Sequence, residues 1–141
     1  MRITNASVIN FLMLVPFAAM GSAICLPFHH VQCAGKALAA PVGDVKAAAK
    51  NIKDMGSMAW YLDPNKCEVI SCKGHAQVRW CNEDTKAGKN ILSEHIAEGA
   101  YVLVKDCETK YKGKKVAGGH LTHDDNWSVI VQEAKCLMDL I

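Results

Sequence analysis

A chain of 141 residues, half of them hydrophobic, has material for one core and not for two. Its 16 basic and 14 acidic side chains nearly balance, which argues against the strongly basic face of a nucleic-acid binder. Seven cysteines in so short a chain point to an oxidising compartment and a disulfide framework.

The first element in chain order is a signal peptide over residues 1–23. Arg2 supplies the charge, an apolar run extends from Val8 to Met20, and Gly21-Ser22-Ala23 offers the small side chains that a signal peptidase accepts. The run falls short of the ~20 residues that span hydrocarbon, so cleavage after Ala23 is expected in place of membrane anchoring. Cys25, Cys33, Cys67, Cys72, Cys81, Cys107 and Cys136 all lie beyond that cut. An odd number leaves one thiol over, and Cys25 is the natural candidate because order is weakest at a chain terminus. Sequence does not choose among the pairings of the other six. A zinc site built from Cys67, Cys72 and Cys81 is disfavoured, because their spacing lacks the short C-x-x-C pairs of structural zinc centres.

Residues 24–41 hold Pro27, Pro41 and the His29-His30 pair without periodicity, so an irregular N-terminal arm pinned at Cys33 is expected. Residues 42–141 then form a single cysteine-rich domain. Asp44 is placed to cap a helix whose apolar stripe is Val45, Ala48, Ala49, Ile52 and Met55, and Gly56 stands where that helix would end. A strand over Met58–Leu62 runs into the turn signal Asp63-Pro64-Asn65-Lys66. Cys67–Cys72 makes a second strand, with Lys73-Gly74 as its turn. His75–Cys81 alternates, with Ala76, Val78 and Trp80 toward the core and Gln77, Arg79 and Cys81 away from it.

The polar stretch Asn82–Asn90 reads as loop. A second helix is expected from about Ile91 to Glu108, with Leu92, Ile96, Ala100, Leu103 and Cys107 on its buried stripe. Cys107 is therefore placed to staple this helix to a strand or to the N-terminal arm. Val116-Ala117-Gly118-Gly119 suggests a strand with a sharp bend, and Trp127–Gln132 alternates as the last strand. Helix, three strands, helix, two strands with hairpin-length turns predict an α+β two-layer sandwich. Its antiparallel sheet has four to five strands, two helices lie on one face, and disulfides staple it.

Candidate chemistry is sparse. His120-Leu121-Thr122-His123-Asp124-Asp125 brings two histidines and two carboxylates together, the residue types of a metal or acid–base site. The glycines before it and the Asp-Asp-Asn after it argue instead for a solvated connection between the last two strands. A ribonuclease-like grouping of His75, His95, Glu94 and Glu98 lacks a cationic phosphate cradle. No catalytic, cofactor-binding or metal-ligating residue is assigned. Lys110, Lys112, Lys114 and Lys115 cluster beside Tyr111 and Gly113. With His120, His123, Asp124 and Asp125 they form the candidate recognition surface, together with the loop from Asn82 to Lys89, because loops on a fixed scaffold carry recognition.

Two stretches carry a family resemblance. One is Ala59-Trp60-Tyr61-Leu62-Asp63 followed by Cys67, Cys72 and Cys81. The other runs from Gly118-Gly119 through Asp124-Asp125-Asn126-Trp127-Ser128-Val129-Ile130-Val131 to Cys136. Over about residues 42–136 the chain resembles the Leptosphaeria avirulence-and-suppressing effector family of plant-pathogenic fungi. The resemblance implies a non-enzymatic virulence protein secreted during infection. Such a protein binds host plant proteins, is recognised by a plant resistance protein, and masks or is masked by related effectors. The implied location is the host extracellular space or the host cell interior. The expected state is a monomer without cofactor, nucleic-acid partner or membrane partner. The competing classes are a small secreted hydrolase of ribonuclease type and a necrosis-inducing or killer-toxin-like protein.

Overall fold

A computed structural model of the chain describes residues 29–137; the expected signal peptide, its cleavage site and Cys25 lie outside the described residues. The strands are β1 (His29–Cys33), β2 (Ala40–Pro41), β3 (Ala59–Leu62), β4 (Cys67–Lys73) and β5 (Ala76–Asn82). They continue as β6 (Lys89–Leu92), β7 (Thr109–Tyr111), β8 (Lys114–Ala117), β9 (Gly119–His123) and β10 (Trp127–Glu133). The helices are α1 (Val42–Asp54) and α2 (Ser93–Cys107), and a 3-10 turn covers Lys36–Leu38. Five strands form an antiparallel sheet in the order β1-β9-β10-β5-β4. Helix α1 lies over β4 and β5, and α2 lies over β10, β9 and β1. This is the α+β sandwich that the order of elements predicts. Two smaller sheets, β2-β8-β7 and β3-β6, flank it.

The core forms where the helical and strand periods meet. Val45, Ala48, Ala49 and Ile52 of α1 and Ile96, Ala100 and Leu103 of α2 are fully buried against Ala76, Val78 and Trp80 of β5 and Val129 and Val131 of β10. Small side chains on both helices let their backbones approach the sheet closely. At Gly99 even a Cβ would come within 2.8 Å of Val129 Cγ2, so α2 could not settle on β10 with a larger residue there. The described part contains no helix long and apolar enough to cross a membrane.

All six described cysteines pair: Cys33–Cys107, Cys67–Cys81 and Cys72–Cys136. The first ties β1 to the last residue of α2, the role expected of Cys107. The second joins directly opposed positions of β4 and β5, and the third fastens the segment after β10 to β4.

Several expectations are corrected. Part of the arm expected to be irregular is an edge strand: β1 pairs with β9 from His29↔His123 to Cys33↔Gly119. It shows no alternation because only Val31 is even half-buried, so backbone pairing, invisible to a hydrophobic pattern, defines it. Asp44 does not cap α1. Pro41 occupies the cap position without a side-chain bond, and Asp44 Oδ2 accepts the His75 N–H at 2.9 Å, joining the helix to the β4–β5 turn. Gly74 in that turn has φ +57, and a Cβ on it would lie 2.5 Å from the same carboxylate, so two independent constraints require glycine there.

Strand β3 pairs with β6 and not with β4. Ser93 explains the shift of the second helix start from Ile91 to Ser93. Its N–H and hydroxyl both donate to Met58 O, at 2.8 and 3.1 Å, and its oxygen accepts the Trp60 indole N–H at 2.8 Å. That buried serine ends β6 and starts α2 at one point. The bend expected at Gly118-Gly119 is a full break, where β8 leaves for a separate sheet and β9 begins.

Candidate functional site

The four clustered lysines lie on one hairpin. Strands β7 and β8 are joined by Lys112 and Gly113, with φ values of 50° and 76°, the paired positive φ of a tight hairpin turn. The register sets Lys110 directly opposite Lys115, and Tyr111 opposite Lys114. Lys112 Nζ sits 5.2 Å from the centroid of the Tyr111 ring, within cation–π range. Like charges directly opposed across a ladder destabilise it. Among the described residues no carboxylate pairs with Lys110, Lys114 or Lys115. The hairpin follows directly from the end of α2, which the Cys33–Cys107 bond fastens to β1. The 3-10 turn containing Lys36 packs against β7.

The remaining candidates separate from the lysines. His120 and His123 belong to β9, not to a solvated connection. In a strand, residues three apart face opposite sides, so the two histidines do not converge. Accordingly no group of three His, Cys, Asp or Glu suited to a metal ion occurs among the described residues. Asp124 and Asp125 are exposed in the β9–β10 turn, which Asn126 closes at φ 64°. The ribonuclease-like grouping is also dispersed. His75 Nδ1 lies 3.6 Å from Glu133, and His95 Nδ1 lies 3.6 Å from Glu98 on the exposed side of α2.

His123 faces the helix side of the sheet, where its ring stacks on Trp127 at 3.7 Å and 10°. Burial pushes its pKa below the ordinary histidine value, and His29 and His95 add repulsion that Asp125 and Asp124 partly offset. The unfolded chain therefore takes up this proton first as pH falls, so stability is lost below about pH 6.5 and regained as pH rises through it. Replacing His123 with phenylalanine, which keeps the stack, is expected to narrow the difference in melting temperature between pH 7.5 and pH 5. An unchanged difference in thermal melts would remove His123 from the acid response.

The loop from Asn82 to Lys89 is organised from inside. Asn82 is 1 % exposed; its amide donates to Leu62 O at 3.1 Å, Asp63 O at 3.2 Å and Ala87 O at 2.9 Å, and its oxygen accepts the Asp84 N–H at 3.0 Å. Asp84 in turn accepts the Lys86 and Ala87 N–H groups, which hold its carboxyl below the usual carboxylate range.

His120 faces the open side of the five-stranded sheet. Its Nε2 is 3.6 Å from Glu83 Oε1, and the same oxygen accepts the Ser128 hydroxyl at 2.6 Å. Residues in register across the sheet place Gln32, His120, Ile130, Arg79 and Val69 in one transverse row. Arg79 is not among the candidates read from sequence, and Glu83 enters them only as part of the loop from Asn82 to Lys89. The available signal was Arg79, a charge on the outward side of an otherwise buried strand. Comparison with protein-family models, curated proteins and solved structures gives no match to this chain.

Proposed function

We propose that this protein is a secreted effector of a plant-pathogenic fungus that works by binding a host protein, with the β7–β8 hairpin as its principal contact surface. The observation that carries the reading is the Lys110–Lys115 pair: two like charges opposed across a hairpin that leaves the disulfide-anchored end of α2, without an acidic partner of their own. An acidic surface on a host protein would relieve that repulsion and gain steered association. The three disulfides support an extracellular life, and the effector resemblance and the signal-peptide pattern agree with it. Recognition by a plant resistance protein, and masking by related effectors, would use the same exposed hairpin or the neighbouring β9–β10 turn with Asp124 and Asp125. Catalysis has no part in this reading.

The test is expression in plants carrying candidate resistance genes, with and without residues 1–23, of the native chain and of a Lys110→Glu/Lys115→Glu variant. The variant is expected to lose the resistance response while keeping its melting temperature within a few degrees, because surface charges contribute little to stability. If recognition survives charge reversal and only core or cysteine changes abolish it, the hairpin is not the contact surface. The two forms, with and without residues 1–23, report the compartment: a response that needs residues 1–23 places recognition outside the host cell.

A further inference from the structure

The sheet face turned away from the helices holds a shallow cavity of about 410 Å³. Its floor is Ile130, which pairs in register with His120 on one side and Arg79 on the other. Gln32 and Gln132 stand at its edge, and the 3-10 turn walls it with Leu38, which is 66 % exposed. Arg79 and His120 line this cavity, and each has a nitrogen, Nε and Nε2 respectively, that is shielded from solvent without a hydrogen bond. Among the described residues no carboxylate lies within ion-pair distance of Arg79. Glu83, the acidic group beside His120, is engaged by the Ser128 hydroxyl and does not reach the guanidinium.

A shielded guanidinium nitrogen without an acceptor is costly, and the cost is recovered when an anion accepts from it. The planar guanidinium fork matches carboxylate and phosphate oxygens two at a time. Ile130 and Leu38 add apolar surface on which the organic part of a ligand can rest, the usual make-up of a small-ligand site. We propose that this cavity binds an oxyanion, the carboxylate or phosphate of a small ligand, with Arg79 as its anchor and His120 as a second donor whose ring Glu83 positions. The proposal is independent of the hairpin reading. It concerns the opposite chemistry, a small ligand entering the protein's own pocket.

The test follows the Arg79 Nε–H and His120 ring signals by NMR in the disulfide-intact chain, at constant ionic strength. The probes are sodium phosphate and sodium acetate in separate titrations, with chloride as control. At least one probe is expected to shift both residues saturably in the millimolar range. Arg79→Gln is expected to weaken that response tenfold or more, and Arg79→Lys, which keeps the charge, to weaken it less. A response to phosphate alone assigns a phosphorylated ligand, and a response to acetate alone assigns a carboxylate. Shifts that fail to saturate, or that chloride reproduces, or that persist undiminished in a folded Arg79→Gln chain, overturn the proposal. The Lys110→Glu/Lys115→Glu variant is expected to bind the same probe as the native chain does, which separates failure of this site from failure of the hairpin.

Discussion

Exchanging Cys33 and Cys107 together for alanine is expected to destabilise the protein by about 4 kcal/mol, the loop-closure contribution for so long a span. The two cysteines are 74 residues apart. For a domain of this size that loss corresponds to a fall of roughly 20 °C in melting temperature. The damage should also be local. Strand β1 has only Val31 half-buried, so without the bond it has little but its ladder to β9 to hold it. The end of α2, from which the lysine hairpin springs, loses its anchor at the same time. Hydrogen exchange should show β1 and β7–β8 amides losing protection ahead of the β5–β10 ladder. Removing Cys67–Cys81 makes the control. Its separation is 14 residues, worth about 3 kcal/mol by the same reasoning, and the β4–β5 ladder already holds those positions together. Equal losses from the two variants, or uniform loss of protection, would contradict this account.

The second large effect is expected at Asn82. Its two amide hydrogens are shared among three backbone carbonyls, and its oxygen takes a backbone N–H. Leucine at this position leaves those groups without their partner, Leu62 O in a buried place and the others in partly buried ones, at a cost of about 3 kcal/mol. Aspartate keeps the shape but turns a donor into an acceptor facing carbonyl oxygens, so Asn82→Asp should be at least as severe. Denaturant unfolding gives the magnitude. The location can be read from the Trp60 indole N–H, which donates to Ser93 and reports on the β3–β6 pair. Early exchange of that proton in Asn82→Leu, with the Trp80 signal intact, is the expected signature. A loss of less than 1 kcal/mol would mean that the loop closes without this side chain.

How legible these features were in the sequence depended on how far each one's cause extends along the chain. The stripe from Val45 to Ile52, the alternation of Ala76, Val78 and Trp80, and the inward placing of Cys107 are local periodicities, and the structure reproduces them. Strand β1 was not legible because an edge strand whose sides are both largely solvent-exposed has no hydrophobic pattern. Asn82 was hidden by its setting: a polar residue at the head of a polar run looks like loop, whereas burial makes it the centre of that loop. The Arg79–Ile130–His120 row depends on the register of three strands distant in sequence, which no local signal specifies. The β9 histidines show the reverse case. Their closeness in sequence reads as one solvated connection, whereas they lie in a strand whose geometry sets them on opposite faces.

The outermost paired cysteines among the described residues also bear on how the protein would fare among proteases. Cys33 bonds into the end of α2 and Cys136 into β4, and backbone bonds from Ala134 and Cys136 to His75 and Gly74 lay the segment after β10 against the β4–β5 turn. An exopeptidase trimming from the C-terminal side meets cross-linked Cys136 before it reaches β10, and one trimming from the N-terminal side meets cross-linked Cys33 after taking only the edge strand β1. A cut in the β7–β8 or β9–β10 turn would leave its two fragments covalently joined through Cys72–Cys136. The surface loops can therefore vary, and even be nicked, while the scaffold that presents them persists.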